Sequence, residues 1–204
     1  MNNETVTLAD LGWSAFYQSQ LSNEEVEEQR ALRVTEVHRN SLETLGADGP
    51  VRVAVNSMMA EHGMAVGDWI LTPRDSAQCE RVLDRKSLIR RGSAGLEAVA
   101  QLIAANIDTL FIVSSCNADF NIARLERYLA LAHQAEVEPV VVLTKADMCE
   151  DPSVYVEKAR ELQNVQTITI DATAGDTVAH LAPWCGIGQT VALVGSSGVG
   201  KSTI

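Results

Sequence analysis

The spacing of apolar residues along the chain changes near residue 92. Before that point, short apolar runs are separated by Gly, Pro and Asp turn signals, which predicts a series of short strands. These predicted strands are Leu32–Val37, Ser41–Leu45, Val51–Val55, Asp68–Thr72 and Cys79–Leu83. So many short strands in a small region indicate a closed or nearly closed β-barrel. The oligonucleotide-binding (OB) fold is the first candidate, and an SH3-like barrel is the alternative.

After residue 92, strand-like and helix-like patterns alternate. Apolar residues with helical spacing predict a helix through Ile122, Leu125, Leu129 and Ala132, and a shorter helix is predicted around Thr177–Leu181. Strands are predicted at Ile107–Ser114, Pro139–Leu143, Val165–Ile170 and Gln189–Val194. The continuous apolar run Pro139–Leu143 is typical of a strand covered on both faces. This alternation predicts a parallel sheet with helices on both faces.

A glycine-rich motif follows the last predicted strand. Residues 195–202 read Gly-Ser-Ser-Gly-Val-Gly-Lys-Ser, which is the G-x-x-x-x-G-K-[ST] pattern of a phosphate-binding loop. Its glycines allow backbone N–H groups to turn towards phosphate oxygens. The residues expected to bind the phosphates are Gly195, Ser196, Ser197, Gly198, Val199, Gly200, Lys201, Ser202 and Thr203.

Two side chains of this loop have specific expected roles. Lys201 is expected to reach the β- and γ-phosphates, and the Ser202 hydroxyl is expected to bind Mg²⁺. Both are therefore candidate catalytic residues, and Ser202 is the candidate metal ligand. A helix is expected to begin at Lys201 and to direct the positive end of its dipole towards the phosphates.

The sequence Thr144-Lys145-Ala146-Asp147 follows the buried strand Pro139–Leu143. Asn/Thr-Lys-x-Asp specifies guanine in GTP-binding domains, and open α/β sheets bind ligands at this end of a strand. The Asp147 carboxylate can accept hydrogen bonds from guanine N1–H and the 2-amino group, which adenine cannot supply, a difference of ~3 kcal/mol. Taken alone, the motif favours a charged surface turn. The buried strand before it and the phosphate loop in the same chain favour guanine binding by Thr144, Lys145 and Asp147 instead.

A second base-binding element is predicted at Asp171-Ala172-Thr173, after the strand Val165–Ile170. A small residue such as Ala172 allows a backbone N–H to reach guanine O6. Asp171 stands where such elements usually have Ser. The order along the chain is base motif, second base motif, phosphate loop, which indicates a circularly permuted GTPase. Such a permutation leaves the sheet and its loops in place because domain termini are often close together.

Charge is distributed unevenly along the chain. The net charge of −11 argues against indiscriminate binding of nucleic acids, yet residues 81–91 hold five of the 16 basic residues. This basic stretch predicts contacts with RNA phosphates, and the alternative is a solvated hinge whose charges pair with nearby acids. Residues 1–29 are acidic and are either a partly ordered extension or a segment docked through Trp13, Phe16, Tyr17 and Leu21.

The cysteines and the apolar runs exclude several classes of protein. Cys79, Cys116, Cys149 and Cys185 lie more than 30 residues apart, a spacing unlike that of zinc ligands or of a disulfide framework. No apolar run approaches the length of a membrane span, and the N-terminus does not resemble a signal peptide. A monomer in a reducing cytoplasm, without a membrane partner, is expected.

Several motifs together resemble the ribosome small-subunit-dependent GTPase A (RsgA, also called YjeQ) family of circularly permuted bacterial GTPases. The resemblance covers nearly all of residues 30–204. The motifs that carry it are Arg33-Val34-Thr35-Glu36-Val37-His38-Arg39, Val66-Gly67-Asp68-Trp69, Ala104-Ala105-Asn106-Ile107-Asp108, Asp119-Phe120-Asn121, Arg124-Leu125-Glu126-Arg127-Tyr128-Leu129, Leu143-Thr144-Lys145-Ala146-Asp147 and Gly195 to Thr203.

The resemblance implies a domain plan and a partner. It implies an acidic extension at 1–29, an OB-fold RNA-binding domain at 30–91 and a circularly permuted GTPase domain at 92–204. It also implies GTP or GDP with Mg²⁺ as ligands, and the small (30S) ribosomal subunit with its rRNA as partner. Members of this family act late in the maturation of the subunit, which stimulates their GTP hydrolysis.

The same resemblance implies segments that these 204 residues do not contain. In the family, two switch segments and a zinc-binding domain with Cys and His ligands follow the phosphate loop. The GTPase domain is therefore expected to be incomplete, as in a fragment of a longer protein, with Zn²⁺ only in the missing domain. By themselves, the 204 residues are expected to hydrolyse GTP poorly.

Three other functions remain open from the sequence. One is a nucleotide-gated module that binds rRNA or the ribosome with little turnover. Another is an ATP-using P-loop kinase or ATPase, which Asp147 disfavours. The third is a fragment that binds no nucleotide and in which only the barrel folds.

Overall fold

The computed structural model describes residues 6–55, 63–91, 101–162 and 165–204. The chain divides into two compact units: Met1–Asn106 with Ile187–Gln189, and Ile107–Gly186 with Thr190–Ile204.

A five-stranded antiparallel sheet forms the centre of the first unit. Its strands are β1 (Gln29–Val37), β2 (Ser41–Gly46), β3 (Gly49–Ala54), β4 (Trp69–Pro73) and β5 (Arg81–Val82), in the order β3-β2-β1-β4-β5. All five predicted strands are present, although β5 is only two residues long. Ala54 forms a parallel bridge with Gln78, just before β5, so that the two edges of the sheet approach each other.

The side chains inside this curved sheet follow the two-residue period of its strands. Leu32 and Val34 of β1 are buried together with Leu42 of β2, Val53 of β3 and Ile70 of β4. Each of these residues alternates with neighbours of the opposite face, as a pleated strand requires. The hydrophobic-polar alternation therefore determines which face of each strand forms the core.

The N-terminal segment (residues 6–28) packs against the opposite face of the sheet. It contains the short helices α1 (Ala15–Gln18) and α2 (Asn23–Glu28). Tyr17 of α1 is 1% exposed and packs with Trp69 of β4, with ring centroids 5.8 Å apart. Trp13 completes an aromatic cluster, because its ring lies edge-on to Trp69 at 4.8 Å. The docked arrangement is thus the one present, and the described part of residues 1–29 is ordered against the sheet.

An antiparallel pair, β6 (Leu88–Arg91) and β7 (Gln101–Ala105), ends the first unit. The unit boundary lies after Asn106 and not after Arg91, where the sequence pattern placed it. The physical reason is that β7 pairs with β6 and that Val66 also forms a bridge with Ala104. A local change of pattern at residue 92 cannot indicate these distant partners.

The second unit contains a four-stranded parallel sheet in the order β10-β9-β8-β11. Its strands are β8 (Thr109–Ser115), β9 (Glu138–Thr144), β10 (Gln166–Thr169) and β11 (Val191–Val194). Its helices are α3 (Ile122–Gln134), α4 (Ser153–Arg160) and α5 (Thr177–Leu181), with short 3₁₀ turns at Ala146–Met148 and Ala182–Trp184. The predicted alternation and parallel sheet are confirmed. Parallel strands place the base motif, the second base motif and the phosphate loop at the same edge of the sheet.

Side chains on both faces of this sheet are buried. Phe111, Val113, Val140 and Val142 form one cluster with Trp184, whose ring lies edge-on to Phe111 at 5.8 Å. The alternate residues of β8 and β9 point to the other face and are buried as well: Leu110, Ile112, Val141 and Leu143. Burial on both faces explains why these strands are continuous apolar runs.

The four cysteines differ in burial. All four cysteines are free thiols, and burial raises the pKa of Cys79 and Cys116 to about 11 each. These two thiols are therefore protonated at neutral pH and should react slowly. Within the described ranges, no helix has both the length and the apolar character needed to span a membrane.

Candidate nucleotide-binding site

Thr144 ends strand β9 and connects the base motif to the phosphate loop. The residue is fully buried, and its Oγ1 lies 2.5 Å from the Val199 carbonyl oxygen and 3.2 Å from that of Ser114. A hydroxyl has one proton to donate, so it bonds mainly to the nearer oxygen. Val199 is itself 2% exposed, and its side chain packs in the cluster under the sheet. The phosphate loop is thereby fixed to the end of β9.

Lys145 forms a second connection between the two motifs. Its backbone is left-handed, with φ 59° and ψ 31°, and this conformation turns the chain out of β9 into the 3₁₀ turn. The Nζ atom donates to the Gly198 carbonyl oxygen at 2.8 Å. Adjacent side chains of the base motif therefore bond to adjacent carbonyls of the phosphate loop.

Asp147 lies in the 3₁₀ turn Ala146–Met148 and is exposed to solvent. In the part of the chain that the structure describes, no hydrogen bond or ion pair is assigned to its carboxylate. An ionised carboxylate of this kind can accept two hydrogen bonds from the neighbouring N–H donors of a guanine.

Two constraints favour glycine in the phosphate loop: close contact with the backbone of a neighbouring strand, and left-handed φ values. A Cβ on Gly195 would lie 2.3 Å from the Val113 carbonyl oxygen, so that a side chain there would collide with strand β8. Gly198 and Gly200 have φ values of +77° and +101°, which side chains with a Cβ rarely adopt. Among the described residues, no atom lies within 4 Å of a Cβ built on Gly198, so there the constraint is conformational and not steric.

Lys201 is folded over its own loop. Its Nζ donates to the carbonyl oxygens of Gly195 at 3.0 Å and Ser196 at 2.6 Å, and the ammonium group is thereby held above the loop. Ser202 is exposed. The amides of Thr203 and Ile204 both bond to the Gly200 carbonyl, at 3.0 and 3.2 Å, so residues 201–203 form a hydrogen-bonded turn.

The second base motif, Asp171-Ala172-Thr173, follows β10. Its Asp171 carboxylate forms hydrogen bonds within the motif itself. Asp171 Oδ1 accepts hydrogen bonds from the Thr173 amide at 2.8 Å and the Thr173 hydroxyl at 2.7 Å. These bonds hold the pKa of Asp171 below its usual value. Ala172 is half-buried and packs against the core cluster. The acid at position 171 therefore stabilises the turn that presents Ala172.

Polar residues after β8 were not singled out from the sequence. β8 lies between β9 and β11, so that the loop after it lies between the base motif and the phosphate loop. Ser115 Oγ donates to Asn117 Oδ1 at 2.9 Å, and the Cys116 amide donates to the Thr144 carbonyl at 2.9 Å. The signal that could have identified the loop is a polar run directly after a buried central strand.

The basic stretch of the first unit forms many contacts within the protein. Arg81 pairs with Glu25 of the N-terminal segment at 2.6 Å. Arg85 forms two bonds to the fully buried Asp68, at 2.6 and 2.7 Å. The ammonium of Lys86 lies over an aromatic ring of α1, at 5.2 Å from the centroid. Two of the five cations in the stretch, Arg81 and Arg85, thus pair with acids as in the alternative interpretation, whereas Lys86 packs over an aromatic ring.

Comparison with known sequences supports the assignment of the second unit. The sequence profile of the RsgA GTPase family matches residues 82–204. The small ribosomal subunit biogenesis GTPase RsgA of Mesorhizobium japonicum is 47% identical over 199 residues, which are 97% of this chain and 57% of that protein. The RsgA 2 protein of Vibrio parahaemolyticus is 44% identical over 97% of this chain and 54% of its own length. The chain spans little more than half the length of these curated relatives.

Solved structures show the same fold. YjeQ from Thermotoga maritima superposes with a TM-score of 0.65 at 24% identity, over 86% of this chain and 63% of that one. YloQ, described as a circularly permuted GTPase, superposes with a TM-score of 0.61 at 19% identity, over 90% of this chain and 65% of that one. The family profile covers more than half of the sequence, and its match contains both motifs that meet at the sheet edge. The chain belongs to the RsgA GTPase family.

Proposed function

We propose that this chain binds guanine nucleotides as part of a GTPase that acts in small ribosomal subunit biogenesis. The observation that carries the proposal is the pair of bonds from Thr144 and Lys145 to the Val199 and Gly198 carbonyls. These bonds connect the base motif to the phosphate loop, so one nucleotide could contact both with its base and its phosphates. The partner is inferred from relatives named as small ribosomal subunit biogenesis GTPases.

The residue roles in the proposed site follow from their chemistry. Asp147 would accept hydrogen bonds from the guanine N1–H and 2-amino groups, and the amide of Ala172 would donate to O6. The Lys145 stem would lie along the base because its Nζ is already fixed to the phosphate loop. The backbone amides of 195–203 would surround the phosphates, since Gly195, Gly198 and Gly200 keep the loop free of obstructing Cβ atoms.

Mg²⁺ fits the residues that are present. Ser202 is exposed at the start of the helical turn, where its hydroxyl could serve as a ligand, and phosphate oxygens would supply others. When bound, the ion would neutralise charge that develops on the phosphates. Lys201 would supply a second positive charge, because its ammonium is already held above the loop by the Gly195 and Ser196 carbonyls. Zn²⁺ is expected only outside these residues.

The first unit is proposed to be an OB-fold domain that contacts rRNA. Five antiparallel strands, with a parallel bridge from β3 to the chain just before β5, are arranged as in a closed five-stranded barrel. Since Arg81 and Arg85 pair with acids, an exposed cation such as Arg39 is a better candidate for phosphate contacts than either of them. The protein would act as a monomer in the cytoplasm, where small subunits are assembled.

A turnover and co-sedimentation experiment tests the proposal. GTP hydrolysis is measured with and without purified small subunits, and binding to the subunits is measured with a non-hydrolysable GTP analogue and with GDP. We expect nucleotide-dependent binding and turnover that rises with subunits. Lys201→Ala should abolish both, whereas Lys158→Ala on α4, outside the site, should change neither.

The same experiment distinguishes a GTPase from the alternative, a nucleotide-gated ribosome-binding module. If subunits change nucleotide affinity while turnover stays near the background rate, the chain is a nucleotide-gated ribosome-binding module. If binding to the subunit is indifferent to nucleotide and no turnover occurs, the proposed function is wrong.

A further inference from the structure

Phe16 of α1 is an aromatic side chain that remains accessible to solvent. It is 41% exposed, and its ring lies edge-on to Tyr17, with centroids 5.1 Å apart and ring planes at 84°. Tyr17 is itself buried against Trp69, so this contact holds the Phe16 ring against a fixed neighbour. An exposed aromatic ring in a fixed position is a surface on which another flat group can stack.

The Gln20 side chain attaches the end of α1 to the basic stretch, residues 81–91. Its Nε2 donates to the Asp84 carbonyl at 3.3 Å, and its Oε1 accepts from the Asp84 amide at 2.7 Å. The same Nε2 lies 3.4 Å from the Phe16 carbonyl oxygen. One amide side chain therefore joins the backbone of Phe16 to the backbone of the basic stretch, which limits their separation.

Lys86 places a positive charge beside the Phe16 ring. Its Nζ lies 5.9 Å from the Phe16 centroid and 5.2 Å from the Tyr17 centroid, within the range of a cation–π contact. The Lys86 amide donates to Asn106 Oδ1 at 2.9 Å, so the backbone of the lysine is held as well. The ammonium group is thus localised near the aromatic pair.

Lys86 differs from Arg81 and Arg85 in the kind of partner it has. Each arginine is paired with a carboxylate, whereas no ion pair with a carboxylate is assigned to Lys86 among the described residues. An aromatic ring does not neutralise the charge of the ammonium group, and Lys86 is exposed. Its N–H groups are therefore available to an anion from solvent.

An exposed ring beside a cation matches the two parts of a nucleotide. The faces of a base stack on aromatic side chains, and a phosphate pairs with an ammonium group. The base must be unpaired, because the bases of a duplex are stacked on each other and their faces are not accessible. Phe16 and Lys86 therefore fit single-stranded RNA better than a duplex, whose backbone would use the charge alone.

We propose that Phe16 and Lys86 form a stacking platform for an unpaired base of single-stranded RNA, with Lys86 on the adjoining phosphate. The proposal rests on the proposed rRNA-binding role of the first unit and names two residues of that contact. It uses no residue of the nucleotide motifs, so it does not depend on the GTP site. It also gives the N-terminal segment a role in binding, since the segment supplies the ring.

Fluorescence anisotropy with a labelled uridine hexanucleotide tests the platform. The whole protein is titrated into the strand at a fixed salt concentration, with saturating GDP and Mg²⁺ so that the guanine site does not contribute. We expect Phe16→Ala to weaken binding by about tenfold, the loss of one stacked base, and Phe16→Tyr to retain it. Val26→Ala is the matched control, because Val26 is an exposed apolar residue of α2 in the same segment.

The variant Lys86→Met tests the charge separately. It should weaken binding and should reduce the slope of log affinity against log salt concentration by about 0.7, the value for one phosphate contact to a single strand. Lys158→Met on α4 removes the same charge from the second unit and should change neither quantity. Thermal unfolding verifies that each variant folds.

The possible outcomes distinguish the platform from the wider role of the first unit. If the original protein binds the strand and folded Phe16→Ala binds it equally well, the platform is wrong but the rRNA role stands. Equal losses in Phe16→Ala and Val26→Ala also overturn the platform, since they indicate a general effect of the segment. If the protein does not bind the strand, the platform is overturned, and the rRNA role fails with it only when small subunits are not bound either.

Discussion

Thr144 contributes a single buried hydroxyl that satisfies carbonyls from two parts of the site. Its Oγ1 lies 2.5 Å from the Val199 oxygen, and no bulk water can replace it because the residue is fully buried. Thr144→Val should reduce the free energy of unfolding by about 1–3 kcal/mol, the cost of an unsatisfied buried group. The matched control is Thr167→Val on β10, since the Thr167 hydroxyl is buried and has no partner among the described residues, and its loss should be neutral or stabilising. Urea unfolding of the two variants measures the difference; equal effects would show that the Thr144 bond is unimportant.

In the proposed site, guanine preference would depend on Asp147. In Asp147→Asn, one acceptor oxygen is replaced by an amide donor, which no longer matches guanine but does match the 2-oxo group of xanthine. We expect GDP affinity to fall by about tenfold to a hundredfold and xanthosine diphosphate to bind better than it does to the original protein. Competition titration measures both affinities. Unchanged GDP affinity would remove Asp147 from the site.

Gly195 and Gly198 differ in the reason for which each excludes a side chain. Gly195→Ala would place a Cβ 2.3 Å from the Val113 oxygen, so that the loop must move away from β8. Gly198→Ala has free space and costs only the strain of a left-handed backbone, about 1 kcal/mol. GDP affinity should therefore fall much further for Gly195→Ala. A greater loss for Gly198→Ala would contradict the described loop geometry.

Residue types in this site were predictable, whereas their bonds were not. The phosphate loop and the base motif are local patterns, so they could be read from sequence. The contacts of Thr144 and Lys145 join residues more than 50 positions apart, which no local pattern encodes. Asp171 is similar: its position directly after a strand was predicted, but its bonds to Thr173 were not.

Among the elements, the N-terminal segment depends most on packing. α1 has only four residues, too few to be stable alone, and Tyr17 buries its ring against Trp69. Tyr17→Ala should destabilise the first unit by about 3–5 kcal/mol, as for other large aromatic truncations in cores. The adjacent Phe16→Ala is the control, because Phe16 is 41% exposed and should cost far less. Thermal unfolding followed by tryptophan fluorescence tests this; similar losses would mean that the segment is not docked as described.

The loop before β4 is held by a buried ion pair. Arg85 is 20% exposed and bonds to Asp68, which is fully buried and also accepts from the Ala65 amide at 2.8 Å. Arg85→Met would leave a buried carboxylate without its cation and should cost about 3–5 kcal/mol. Arg52→Met, which removes an exposed pair with Glu43, should cost less than about 1 kcal/mol. Denaturant unfolding compares them, and a small loss for Arg85→Met would mean that Asp68 is compensated elsewhere.

Elements with a strong period were predictable, and those defined by distant partners were not. α3, β8 and β9 carry long apolar patterns and match the predicted segments closely. β7 groups with the first unit because it pairs with β6, and β5 is only two residues long where five were expected. Pairing partners and strand ends are tertiary properties, so a one-dimensional pattern locates them poorly.

At the scale of the whole molecule, the order of motifs along the chain is unusual but their placement in the sheet is not. The base motif, the second base motif and the phosphate loop follow β9, β10 and β11, and the parallel sheet brings all three to one edge. The fold thus keeps the proposed nucleotide-binding motifs at one edge although the phosphate loop comes last in sequence. The first unit adds an antiparallel sheet of five strands.

The most direct test of the central claim is a calorimetric titration of the chain with GDP and with ADP in Mg²⁺. We predict that GDP binds with one-to-one stoichiometry and at least about a hundredfold more tightly than ADP, the difference expected from two charge-assisted hydrogen bonds to Asp147. Binding of GDP should be lost in Lys201→Ala. Equal affinities for GDP and ADP, or no binding of either by a folded protein, would contradict a guanine-nucleotide site at this sheet edge.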